Sequence, residues 1–316
     1  MANILANIKN PRKKPLGYRI KRELSQNWIL YIILIPILAY FIIAHYAPMY
    51  GIVIAFKKFN VKLGIMGSEW VGFKHFLRFF KAYNFTRLLS NTLMISLYTT
   101  ALEFPTPILF ALLLHYLDFK PLKKTVQMIS YAPHFLSTVI IVSMLIMFCS
   151  RDGLFNIITG FFGVEPSNLL SRPELFRHIY AFSDLWQSAG WSTIIYLSAL
   201  SGVDQQMHEA AIVDGASKFQ RMLKIDLPSI IPTIVMLFIL RLGRIMGVGF
   251  EKAFLMQNDL NLRTSQIIST YVYELGLIKG DYSFSAAVGL FNNVINVTLL
   301  VLANTFSKKV LKESLW

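Results

Sequence analysis

The sequence predicts an all-α membrane protein with six transmembrane helices, in one domain over residues 28–316 behind a basic tail at 1–27. Three observations point there: a shortage of charge, six apolar runs of bilayer length, and a cationic stretch ahead of the first run. Only 15% of the 316 residues are charged and 55% are hydrophobic, against about 25% charged in a soluble domain. The net charge of +14 could suggest nucleic acid, but the charges sit in short clusters between apolar runs, which argues against such a partner. Cys149 is the single cysteine, so no intrachain disulfide forms. The six histidines are scattered, with no His/Asp/Glu set at local ligand spacing, so no metal site is expected.

A hydrocarbon core of ~30 Å needs about 20 mostly apolar residues in helix. The spans expected on this ground are 28–47, 92–116, 125–148, 179–200, 229–249 and 284–306. The first is too long for a signal-peptide core and lacks an A-x-A cleavage site, so it is expected to stay attached. Asp184, Gln187 and Ser188 interrupt the fourth. Pro36, Pro105, Pro107 and Pro133 fall inside spans, where neighbouring helices can take up the freed carbonyls. Lys9, Arg12, Lys13, Lys14, Arg19, Lys21 and Arg22 precede the first span and place the N-terminus inside; six spans then return the C-terminus to the same side. In the first loop, Phe73, Phe76, Leu77, Phe79 and Phe80 alternate with basic residues, as in an amphipathic helix lying on a membrane.

The loop between the fourth and fifth spans, 203–228, reads VDQQMHEAAIVDGASKFQRMLKIDLP. Asp204 can cap a short helix carrying Met207, Ala211 and Ile212. Gly215 permits a bend, Asp214 stands where a second helix with Phe219, Met222 and Leu223 would start, and Pro228 would open the fifth span. Such a helix pair is too polar for lipid and too apolar to stay bare, so a partner should cover it.

Glu209, Ala210, Ala211, Gly215, Ile225, Leu227 and Pro228 fit E-A-A-x3-G-x9-I-x-L-P at every specified position. In this the chain resembles permeases of binding-protein-dependent ABC importers. Further stretches, among them HYAPMYGIVIAFKKFN at 45–60, SYAPHFLSTVII at 130–141, VGFEKAFLM at 248–256 and the terminal ESLW, are similar to the lipoprotein-associated (LplB-type) sugar permeases of the maltose-type group. The resemblance covers nearly all of the chain after residue 28. It implies the type I importer permease fold in a bacterial cytoplasmic membrane, importing oligosaccharide. The 203–228 loop would be the coupling helix of that family, docked on an ATPase through Glu209, Ala210, Ala211, Asp214, Gly215, Ile225, Leu227 and Pro228. The implied partners are a second permease, two ATPase subunits and an extracytoplasmic solute-binding protein of lipoprotein type. No G-x4-G-K-[ST] motif is present, so this chain itself is expected to bind no cofactor and to catalyse nothing. ATP and Mg would act on the partner ATPase. The polar connection 250–283 would face the binding protein.

Ionisable groups inside spans mark pathways or pairs. Arg241 and Arg244 share a helix face at i, i+3 spacing, and Glu103 could reach a similar depth from the second span. Two readings stay open: a Glu103–arginine pair joining helices, or an arginine facing substrate hydroxyls or a uronate. Asn292, Asn293 and Asn296 in the sixth span, with Trp186, Gln187 and Trp191 in the fourth, suit a sugar path equally with interhelical hydrogen bonding. The rival function is a secondary transporter driven by an ion gradient; such folds often show inverted repeats, and none is apparent. A membrane enzyme is disfavoured because no Ser/His/Asp or paired-acid set recurs at membrane depth.

Overall fold

The structure, a computed structural model, describes residues 16–310 with 314 and 315. Lys9, Arg12, Lys13, Lys14 and part of the terminal ESLW lie outside the described residues, as do the side chains of Arg19 and Lys21. The chain divides into two compact units at Val53.

In the first unit the basic tail is helical over Leu16–Gln26 (α1), with Asn27 donating to Glu23 at 2.7 Å. The first span begins as Trp28–Phe41 (α2). It continues through a π-helical turn at Ile42–Tyr46 into a 29-residue apolar run ending at Phe56. α2 buries none of its side chains. A helix that is apolar all round suits lipid or a partner.

The second unit opens with a two-strand ladder, Lys57–Lys58 against Glu69–Trp70, and a seven-residue helix, Lys74–Phe80 (α3). In this helix and just before it Leu77, Phe80 and Phe73 stay exposed, while one aromatic residue turns inward. Phe79 is buried, with edge contacts to Phe85 and Phe291 at 5.0 and 5.5 Å. Arg78 caps the packing, its guanidinium 4.4 Å from the Phe284 ring centroid and 2.6 Å from Asp281. Phe79 and Phe80 therefore anchor the loop to the last helix, Tyr282–Val310 (α15), while Phe73 and Phe76 pack on Phe56.

The apolar runs follow the predicted order with shifted bounds. The second starts earlier, at Phe85, and divides into Phe85–Glu103 (α4) and Pro105–His115 (α5); Pro105 and Pro107 cannot donate to the turn before them. The continuous third span expected at 125–148 does not form. Lys120–Tyr131 (α6) ends in a 3-10 turn at Ala132–Phe135, and Ser137 caps a new helix, Thr138–Cys149 (α7), by accepting from Ile140 N–H. Leu154–Gly160 (α8) extends the apolar run to residue 160. The fifth also differs: Ile231–Leu242 (α12) bends 58° from the arm Lys218–Ser229. It ends before Arg244, so Arg241 and Arg244 do not share one helix face.

By length and composition, four runs among the described residues can cross a membrane, five with the bent pair. The predicted fourth span is present as a 28-residue helix, Pro173–Leu200 (α9), but its Asp184, Gln187 and serines keep it outside that set. It is the central helix, packed on α4, α5 and α6. There Gly190 faces the Ser130 backbone so closely that a Cβ would lie 2.1 Å from its carbonyl oxygen. Small residues that let backbones touch are how helices associate where the surroundings are already apolar.

The 250–283 segment is more than a polar connection. It folds as Phe250–Met256 (α13), Leu262–Ser265 and Ile268–Tyr273 (α14). Fully buried Asn261 donates to the Leu170 and Met256 carbonyls at 2.9 and 3.0 Å.

Candidate functional site

Two places carry unusual chemistry. The first is the 203–228 loop. Asp204 accepts from Gln206 N–H at 2.9 Å and starts Gln205–Val213 (α10). Gly215 closes that helix with φ +77°, and Ala216 N–H reaches the Ala211 carbonyl at 2.8 Å, a left-handed cap that glycine adopts without a Cβ penalty. Asp214 lies at the end of α10 and does not start the next helix. Ser217 does so, in a reciprocal capping box with Gln220 over Lys218–Arg221 (α11), the S-x-x-Q pattern. Pro228 likewise does not open the fifth span: it sits in the short turn Leu227–Ser229, and Pro232 stands in the first turn of α12.

Glu209, Ala210, Asp214, Gly215 and Pro228 are exposed; Ala211, Ile225 and Leu227 are half-buried. Around them Met207, Ile212, Phe219 and Leu223 stay largely uncovered, and Val213 is 87% exposed. The inner side of α10 is tied down by His208, whose Nε2 lies 3.0 Å from Asp226 Oδ1. Tyr116 donates to the other oxygen of Asp226 at 2.5 Å. Lys218 and Asp118 form a further, exposed contact at 2.5 Å, which holds the Asp118 carboxyl below its ordinary range.

The second place is a set of buried and half-buried charges contributed by α4, α9, α12 and α13. Arg241 Nη2 lies 2.6 Å from Glu103 Oε2, and its Nε donates to Thr100 Oγ1 at 3.1 Å. Ser188 donates to Glu103 Oε1 at 3.2 Å. Lys252, 4% exposed, lies 3.1 Å from Asp184 and 5.0 Å from the Tyr180 ring centroid. Between these pairs opens a cavity of about 550 Å³ lined by Ser96, Thr99, Asp184, Arg241 and Arg244. Among the described residues Arg244 makes no ion pair.

The remaining path candidates are not gathered there. Asn292 donates to the Met246 carbonyl at 3.1 Å and Asn296 accepts from Met246 N–H at 3.0 Å, so both hold α15 to the turn after α12. Asn292 and Asn293 line a separate hollow of about 510 Å³ beside Tyr273 and Tyr282. Gln187 donates to the Leu136 carbonyl at 3.2 Å, across the break before α7. Trp191 stacks on His134 at 4.7 Å, and Trp186 lines two apolar hollows along α9.

Lys252 was missed by sequence reasoning although a signal existed. It is a lone cation among Phe250, Ala253, Phe254 and Leu255, the pattern that marks a costly buried charge. Asp226 was hidden in the unspecified position of I-x-L-P. His115 and His208 have no local ligand spacing in the sequence, yet the fold brings both to Asp226.

Ion pairs among apolar helices, together with a loop that leaves apolar side chains uncovered, are the features of a membrane-embedded helical component. Over residues 105–312 the chain matches the family described as binding-protein-dependent transport system inner membrane component. The polygalacturonan/rhamnogalacturonan transport system permease protein YteP of Bacillus subtilis (strain 168) is 44% identical over 305 residues, 96% of this chain and 95% of that protein. Protein LplB of the same organism is 43% identical over 288 residues, 91% of each. A solved bacterial ABC transporter involved in the import of the acidic polysaccharide alginate is similar at TM-score 0.85 and 37% identity, over 92% of this chain and 99% of that one. The chain belongs to the family of binding-protein-dependent transport system inner membrane components, and ABC import is favoured over an ion-gradient mechanism.

Proposed function

We propose that this chain is one half of the pore of an ATP-driven importer of acidic oligosaccharides. In this reading it has six spans, counting α9 and the bent pair, with both termini inside. A second permease completes the pore, a binding protein delivers the sugar, and the 203–228 loop docks on one of two ATPase subunits. The observation that carries the substrate class is the polar cavity with Arg244 at its wall. Glu103 neutralises Arg241, Asp184 neutralises Lys252, and Arg244 is left to attract a carboxylate. A guanidinium forks two donors toward a carboxylate, and a uronate presents one on each ring. The similarity to a polygalacturonan/rhamnogalacturonan permease and to an importer of the acidic polysaccharide alginate supports this substrate class.

The test is uptake by the assembled transporter in vesicles, comparing an oligogalacturonide with a neutral oligosaccharide of equal length. Loss of one charge-assisted hydrogen bond costs about 1.5–3 kcal/mol, so Arg244→Gln should lower uptake of the acidic sugar roughly 10- to 100-fold. Preference for the neutral sugar, or unchanged acidic uptake in the variant, would reject the proposed substrate class.

A further inference from the structure

We propose that His115, His208 and Asp226 form a binding site for a divalent transition-metal ion of the zinc type, at the joint between the 203–228 loop and the helix bundle. Three separate elements supply the donors: His115 ends α5, His208 lies on α10, and Asp226 lies in the π-helical turn Met222–Asp226 before the bend. One donor atom from each lies within 4.8 Å of the other two. The two imidazoles and the carboxylate make a His2Asp set, which suits zinc with one position left open. Calcium and magnesium ask for more oxygens than this cluster holds.

Two further observations point to a cation. His208 Nε2 and Asp226 Oδ1 are buried and 3.0 Å apart, yet neither has a hydrogen-bond partner. Two donor atoms that converge without sharing a proton in line are arranged as ligands are. Asp226 is also fully buried, and no lysine or arginine among the described residues pairs with it. The nearby Arg221 guanidinium sits 5.9 Å from the Tyr116 ring centroid. A buried carboxylate without a counter-charge is costly, and a metal ion supplies that charge.

Tyr116 completes the arrangement from the second layer. Its hydroxyl donates to Asp226 Oδ2, which fixes the carboxylate and leaves Oδ1 to face His208. Zinc ligands stand about 2.0–2.2 Å from the metal, so the cluster must contract, and half-buried His115 has the freedom to turn inward. Occupancy would bind α10 to the end of α5 and to the turn before the bend, clamping the loop to the bundle.

The test uses the full-length chain in its assembled transporter, freed of affinity tags and stripped with a chelator. Zinc titration by calorimetry should show one stoichiometric site per chain. His115→Gln and Asp226→Asn should each weaken it at least tenfold, and Tyr116→Phe should weaken it roughly 10- to 100-fold, as loss of an outer partner does. X-ray absorption of the zinc-loaded wild type should show two imidazoles and an oxygen donor, a readout that does not depend on any variant folding. No stoichiometric binding by the wild type, a spectrum without imidazole, or undiminished binding in His115→Gln would each overturn the proposal. The first of these would leave an ordinary histidine–carboxylate contact at the joint.

Discussion

Asp184 and Lys252 meet 3.1 Å apart in the bundle with the lysine 4% exposed, while on α10 the apolar side chains of Met207, Ile212 and Val213 are 49–87% exposed. Each region carries residues that its surroundings penalise, and each deals with them differently. The bundle satisfies its charges internally, pair by pair, and among the described charged residues lining the cavity Arg244 has no ion pair. The loop leaves much of its apolar surface exposed, and among its described residues only His208 and Asp226 are fully turned inward, with Met222 and Leu227 partly packed. On the proposed reading, the loop's uncovered apolar side chains are where a partner completes the protein. The bundle should therefore be sensitive to changes in its own residues, and the loop to changes in its partner.

The largest effect should come from Asp184→Asn, which strands the buried Lys252 charge. Removing one partner of a buried pair costs roughly 3–5 kcal/mol, so thermal unfolding of the solubilised transporter should drop sharply. Asp184→Asn with Lys252→Met should recover a substantial part. Strictly additive losses would show that the two residues are not coupled.

The glycines sharpen the same contrast. At Gly190 a Cβ would meet the Ser130 backbone at 2.1 Å, and backbone cannot yield as a side chain does. Gly190→Ala should cost about 1–3 kcal/mol or more and lower the yield of assembled protein. At Gly215 a Cβ has open space but φ is +77°, so Gly215→Ala should cost only about 1–2 kcal/mol of torsional strain. The reverse order in thermal unfolding would contradict the packing described.

These two glycines also show how much the sequence could reveal. Gly215 was legible because its motif names it and because a turn needs left-handed backbone. Gly190 was not, since nothing local says which backbone will pass it. The loop was readable in the same way, although its caps moved: Ser217, not Asp214, starts the second helix, because its hydroxyl and Gln220 close on each other. The apolar runs were readable as helices, but their ends were set by Pro133 and Ser137, and by Ile230 at the bend. The polar centre was half legible. Glu103 and Arg241 stood out as charges at matching depth, while Lys252 was overlooked on a segment read as a connection.

The smallest effect should appear at the Asp118–Lys218 contact. Its carboxyl is held below its ordinary value of 3.8 by the Lys218 ammonium. A depressed carboxyl contributes fully above the unfolded value and loses its contribution as pH falls through the lower folded value. Loop protection in hydrogen exchange should thus be flat at neutral pH and fall only in acid. Both groups are exposed, so salt should screen the contact, and Lys218→Ala should abolish the acid-dependent step. A step near neutral pH would point to another group.

The most direct test of the account asks what covers the loop. Val213→Cys puts a thiol at its most exposed apolar position and leaves the Ser217 capping box intact, while the native Cys149 is buried. With ATPase and binding protein both present, a short bifunctional reagent should link this cysteine to the ATPase. An impermeant thiol reagent added outside intact cells should leave it unmodified. A crosslink to the binding protein, or labelling from outside, would contradict the account and reverse the orientation of the chain.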